Sequence, residues 1–238
     1  MQNYRIKKLS LVSVLIPALT LCSTVAVANQ AITPLTQQTS EQSNTAKTNL
    51  MTKLSKLAFF SANFEQKILT EQGELLQKGT GTLAISKPNL VNWQTQTPDE
   101  TLIISDGNTL WFYDPFIEQA SAYSLAQSIH NTPILLLTSD EPSLWQQYQV
   151  TEQESTENLQ RFVVTPFDQN SQIKRLTLSF TTADVAKDND SQLKEFSFQD
   201  ATGQVSQINL SSFNSTVKPE QALFKFSLPE GVRLEDKR

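Results

Sequence analysis

Few residues in this 238-residue sequence combine the types and spacing that catalysis needs. His130, in Ser128-Ile129-His130-Asn131, is the sole histidine, the side chain that most often serves as general base or metal ligand. Nothing in its spacing sets a nucleophile and an acid around it. Cys22 is the sole cysteine, so a transition-metal centre has too few soft ligands. Asp99-Glu100 follows Pro98 and reads as a turn, and Asp188 and Asp190 lie in a polar loop. Glycoside hydrolysis needs two carboxylates across a cleft, which neither spacing indicates. The six glycines fall mostly at turns and form no phosphate loop. No catalytic residue, metal or cofactor is expected.

The first residues speak to compartment instead. Arg5, Lys7 and Lys8 form a basic start, Leu9 to Leu21 is apolar, and Ala26-Val27-Ala28 is a small-x-small cleavage site. This is the layout of a secretory signal peptide, residues 1–28. Pro17 breaks the apolar stretch, which is short of the roughly 20 residues of a spanning helix. Cys22 follows Leu21 rather than a small residue, which argues against lipidation, and it leaves with the signal. The expected mature chain starts at Asn29 and has no cysteine for a disulfide. Loss of three basic residues and no acidic ones takes the formal charge from −5 to −8. That balance argues against nucleic acid and against adsorption to anionic membranes.

Residues 29–46 are rich in Thr, Gln, Ser and Asn and are expected to be a disordered leader. A folded domain is then expected over 47–238. Leu50, Met51, Leu54, Leu57 and Ala58 recur at helical spacing, predicting one amphipathic helix from about Thr48 to Phe60. From there the period becomes two. Gly81, Leu83, Ile85 and Lys87 share one face, and Thr82, Ala84 and Ser86 the other. Val91 and Trp93 flank Asn92, Leu102 to Ile104 is a short apolar strand, and Asp106-Gly107 marks a hairpin turn into Thr109–Tyr113. Roughly ten strands are expected, in an antiparallel sheet curved or closed into a barrel with one dry face. Two short helical segments interrupt it. One holds Leu125 and Ile129 and is followed by the continuous run Ile134 to Leu137. The other begins near Pro219 and holds Ala222 and Leu223. They either cap an open barrel end or are ordinary loops on the core.

Several blocks resemble one family. They are Phe64-Glu65-Gln66, Gly79-Thr80-Gly81, Pro88-Asn89-Leu90-Val91-Asn92-Trp93 and Pro98-Asp99-Glu100. The longest runs from Ser105-Asp106-Gly107 through Trp111-Phe112-Tyr113-Asp114-Pro115-Phe116 to Glu118-Gln119-Ala120. Asn131-Thr132-Pro133, Trp145-Gln146-Gln147-Tyr148 and the terminal Phe226, Pro229, Gly231 and Val232 follow. In order and spacing these resemble the outer-membrane lipoprotein carrier family, LolA, from about Leu50 onward.

The resemblance implies a mainly β fold: an incomplete, strongly curved antiparallel barrel with an α-helical lid over an apolar cavity. It implies a monomeric periplasmic carrier of acylated lipoproteins. Such carriers accept lipoproteins from the inner-membrane release complex LolCDE and pass them to the outer-membrane receptor LolB. Leu83, Ile85, Val91, Trp93, Ile103, Leu135 and Leu137 are the expected lipid-binding residues. Where the family commonly has an Arg that holds the lid, Lys87 stands before Pro88-Asn89. It is expected either to reach the rim or to donate to carbonyls near Ser124–Leu137. The polar stretch 183–192 departs from the family as an insertion. A periplasmic lipid-sensing module of the same fold is the alternative, and a secreted hydrolase the weaker one.

Overall fold

The computed structural model describes residues 35–128, 132–139, 141–156, 158–182 and 192–238, with side chains from Gln42 onward except at 154–156. The signal segment, His130 and most of the 183–192 insertion lie outside the described residues.

Helix α1 spans Leu35–Lys56. Strands β1 (Phe59–Leu69), β2 (Leu75–Ser86), β3 (Leu90–Thr97), β4 (Thr101–Asp106), β5 (Thr109–Asp114) and β6 (Gln119–Ser124) follow as a meander. Three one-turn helices come next: α2 (Leu125–Ser128), α3 (Pro133–Leu136) and α4 (Pro142–Trp145). A second meander holds β7 (Tyr148–Thr156), β8 (Leu159–Pro166), β9 (Ile173–Thr181), β10 (Leu193–Asp200) and β11 (Val205–Asn214). A 3-10 turn at Gln221–Phe224 and the short β12 (Arg233–Lys237) complete the chain.

All twelve strands form one sheet, in the order β12-β6-β5-β4-β3-β2-β1-β11-β10-β9-β8-β7. Among the described residues the roughly ten strands expected from pattern are twelve, and the sheet is antiparallel except for β12, which runs parallel to β6. The barrel is incomplete, since β12 and β7 remain as the two edges. The two meanders join where β11 pairs with β1. This is the mainly β, curved, open fold expected.

The principal core lies on one face of this sheet. It takes in Leu50, Leu54 and Leu57 of α1, Leu135 and Leu136 of α3, and alternate residues of most strands. The run Ile134–Leu137 is buried throughout. An apolar run with no polar side is what a helical turn sealed on every side requires.

Helix α1 departs from the sequence reading. It begins at Leu35, so residues 35–46, expected to be disordered, are helical. Ala46 is buried in the core, and Ser43 Oγ donates to Val150 O at 3.0 Å. Val150 lies on the edge strand β7, so the helix covers carbonyls that an open edge would expose. Polarity misled here. Thr48 Oγ1 donates to Asn44 O and Thr52 Oγ1 to Thr48 O, each at 2.9 Å. Hydroxyls that bond back one turn fit inside a helix when tertiary packing supports it.

Candidate functional site

Antiparallel pairing carries the apolar face across the first meander. Leu83 pairs with Trp93, Trp93 with Ile103, Ile103 with Phe112 and Phe112 with Ser121. The next row runs Ile85, Val91, Ser105, Leu110 and Tyr123. Leu83, Ile85, Val91 and Trp93 are buried in the principal core, and Ile103 is half-buried against it. Leu135 and Leu137 enter the same core from the helical segment. The structure thus brings together all seven apolar residues singled out in the sequence.

Leu110, Phe112 and Tyr123 were not among the expected lipid-binding residues, although the alternation of Leu110 and Phe112 with Trp111 and Tyr113 along β5 carries the signal. Phe112 and Tyr123 are half-buried and meet edge-on, with centroids 5.6 Å apart. A cleft of about 420 Å³ opens beside them, lined also by Gln127 and Ser128 of α2 and by Thr132 and Lys237.

The glycine-aromatic blocks make this face dense. Phe64 sits directly opposite Gly81, and a Cβ on Gly81 would collide with the Phe64 ring and the Gln94 carbonyl. The Phe64 ring occupies that space and packs 4.7 Å from Trp93, which meets Phe196 of the second meander at 5.9 Å.

The turn between β2 and β3 is the junction with the helices. Lys87 Nζ donates to Leu54 O at 2.9 Å and Lys87 N to Ala58 O at 2.8 Å. Asn89 N donates to Thr138 O at 3.2 Å, just past α3. One turn therefore ties the end of α1 and the end of α3 to the sheet. Lys87 was expected either to reach the rim or to donate to carbonyls near Ser124–Leu137; the Leu54 carbonyl it bonds in the structure belongs to α1. The physical reason is local: Leu54 carries one of the last carbonyls of the helix, which accepts from Leu57 N at 3.0 Å and keeps a second lone pair for a cation that the helix dipole also favours.

Further along α1, Lys47 Nζ donates to Trp145 O at 3.0 Å. Burial pushes the Lys47 ammonium below its ordinary pKa. The Lys53 ammonium lies 5.5 Å from the Phe180 ring centroid, and burial, followed by Lys56, pushes it down as well. At the β4–β5 turn, burial would raise Asp106. The Thr109 and Asn108 amides, the Trp111 indole and Arg238 more than offset this and hold it below the usual carboxylate range.

The opposite face holds a second apolar patch that alternation alone did not predict. Ile104 and Ala122 are buried there, on either side of Trp111. Asn92 Nδ2 donates to Leu223 O at 2.6 Å, and Phe226 packs 5.0 Å from Trp111. The continuous apolar run of β4 reflects this covering on both sides.

Among the described residues no group of three or more His, Cys, Asp or Glu could hold a metal ion. What the arrangement offers is apolar surface under a helical cover. Residues 55–227 match the family model for the outer membrane lipoprotein carrier protein LolA. The chain belongs to the LolA family. It is 36% identical to the outer-membrane lipoprotein carrier protein of Photorhabdus laumondii over 81% of this chain and 89% of that one. With the protein of the same name from Pasteurella multocida it shares 40% identity, over 81% and 88%. The LolA match begins at Ser55, so most of α1 precedes it.

Proposed function

We propose that this chain is a periplasmic carrier that shields the acyl chains of lipoproteins between the inner membrane and an outer-membrane receptor. It is a carrier, not an enzyme. The release complex LolCDE and the receptor LolB are the partners this reading assigns, because the chain is alike to named carriers over nearly their whole length. The observation that carries the reading is the continuous apolar face of β2–β5 packed beneath α1 and α3.

The energetics suit transient binding. Each methylene removed from water contributes about 0.8 kcal/mol. Two fully buried acyl chains would sum to roughly 25 kcal/mol, beyond the practical limit of about 20 for reversible association. Here the same face already buries Leu50, Leu54, Leu135 and Leu136. An incoming chain displaces those side chains, and their lost packing offsets much of the gain. Binding is then strong enough to carry and weak enough to release. Leu83, Ile85, Val91, Trp93, Ile103, Leu135 and Leu137 would contact the acyl chains, while Lys87 would hold the cover shut through α1.

Loading and delivery of a fluorescent lipoprotein, scored separately with inner- and outer-membrane vesicles, tests the proposal. Loading without covalent change in the cargo supports it. A purified protein that takes up no acylated cargo, or that cleaves it, overturns it.

A further inference from the structure

The hairpin joining β5 to β6 presents two large apolar side chains to water. Phe116 is 86% exposed and Ile117 58%. The hairpin is held firmly. Asp114 Oδ1 accepts from the Phe116 amide at 2.9 Å and the Ile117 amide at 3.4 Å. Glu118 N donates to Pro115 O at 3.4 Å, and Arg233 N donates to Glu118 O at 2.9 Å, bracing the tip against β12. Side chains on such a tip need little further ordering on contact, and a fixed aromatic is the usual anchor of a protein interface.

The apolar surface continues inward. Ile117 lines a cleft of about 280 Å³ together with Ile103, Phe112 and Tyr113. Ile103 and Phe112 are the half-buried members of the inner apolar row. The tip therefore stands beside the face that the carrier reading assigns to acyl chains.

Charge selects among occupants. Asp114 and Glu118 flank the tip, and Asp99-Glu100 directly precedes Thr101 in the wall of the cleft, against one arginine, Arg233, paired with Gln119 on β12. An anionic membrane surface would repel this acidic rim and the acidic chain behind it. A second copy would set two acidic rims together. A protein surface with an apolar socket rimmed by lysine and arginine satisfies both the peg and its border.

We propose that the Phe116–Ile117 tip is a docking peg for a partner protein with such a socket, engaged while cargo is taken up or handed over. This rests on the carrier reading. The test pairs the double variant Phe116→Ser/Ile117→Ser with Phe116→Trp. Three quantities are measured: binding of a fluorescent diacyl lipopeptide, uptake of lipoprotein from inner-membrane vesicles, and handover to outer-membrane vesicles. Protein-free vesicles of phosphatidylethanolamine and phosphatidylglycerol serve as the lipid-only acceptor. The double variant should bind lipopeptide like wild type but lose at least tenfold in uptake or handover. The wild-type rate of that step should fall with added salt, and Phe116→Trp should keep it. Wild-type rates in both steps for the double variant would overturn the proposal. So would equal handover to the protein-free vesicles, which assigns the tip to lipid, or lost lipopeptide binding, which assigns it to the cavity wall. A wild-type protein that binds no lipopeptide would overturn the carrier reading itself, and the peg with it.

Discussion

At the scale of single residues, packing and turn chemistry explain the family blocks. Gly81 leaves room for the Phe64 ring and the Gln94 carbonyl, with the aromatic covering the backbone that a side chain would otherwise cover. Gly81→Ala should therefore destabilise by about 3 kcal/mol, as overpacking against fixed backbone does, read as a lowered urea midpoint with unchanged slope. Asp106 is held below the usual carboxylate range by the Thr109 and Asn108 amides and the Trp111 indole, against the opposing effect of burial. Its folded pKa lies below its unfolded one. Its contribution is thus complete above the unfolded value of 3.8 and is lost as pH falls through the folded value. Acid unfolding followed by tryptophan fluorescence should show Asp106→Asn less stable than wild type at pH 7, by about 1 kcal/mol. The difference should narrow below about pH 4. A constant difference down to pH 2 would remove Asp106 from the account.

At the scale of elements, α1 and the β2–β3 turn matter most. Lys87 Nζ bonds the Leu54 carbonyl, so the ammonium secures the end of the long helix. Lys87→Leu should loosen α1 and shift the balance of loading and release by several-fold, while Lys87→Arg should keep both. The check is lipoprotein loading and release timed separately, and wild-type rates in Lys87→Leu would return the residue to an ordinary rim lysine. The start of α1 carries a second prediction. Residues 29–46 read as a dispensable leader, yet Ser43 bonds edge strand β7 and Ala46 is buried. A chain beginning at Lys47 should lose about 1–2 kcal/mol, roughly 4 °C in Tm. An unchanged Tm by calorimetry would restore the leader reading.

These two elements also show where legibility stopped. Strands with one dry face announced themselves through alternation, as at Leu83–Ile85 and Val91–Trp93. The N-terminal half of α1 did not, because Thr, Ser and Asn favour caps and turns over helix interiors unless tertiary contacts decide otherwise. The Leu54 carbonyl that Lys87 bonds lies thirty-three positions back in the chain, and no local period reports such a contact. The apolar patch around Ile104 was hidden because its cover, Leu223 to Phe226, lies far along the chain.

At the scale of the whole molecule, the account holds that one apolar face serves twice: it packs the protein's own helices, and it receives acyl chains when they give way. Ile85 is a poor probe of this, because it is wholly buried in the packed form and a glutamate there would cost folding as well as loading. Ile103 is the better one, half-buried on the same face in the neighbouring row, beside Trp93. Thr82, on the other face beside Leu83, is the control. The decisive measurement is native mass spectrometry of protein purified from the periplasm, comparing wild type, Ile103→Glu and Thr82→Glu at matched circular dichroism. The account predicts acylated protein bound to wild type and to Thr82→Glu, and at least a tenfold loss of that complex in Ile103→Glu. Equal occupancy in Ile103→Glu, or loss in Thr82→Glu alone, would contradict it.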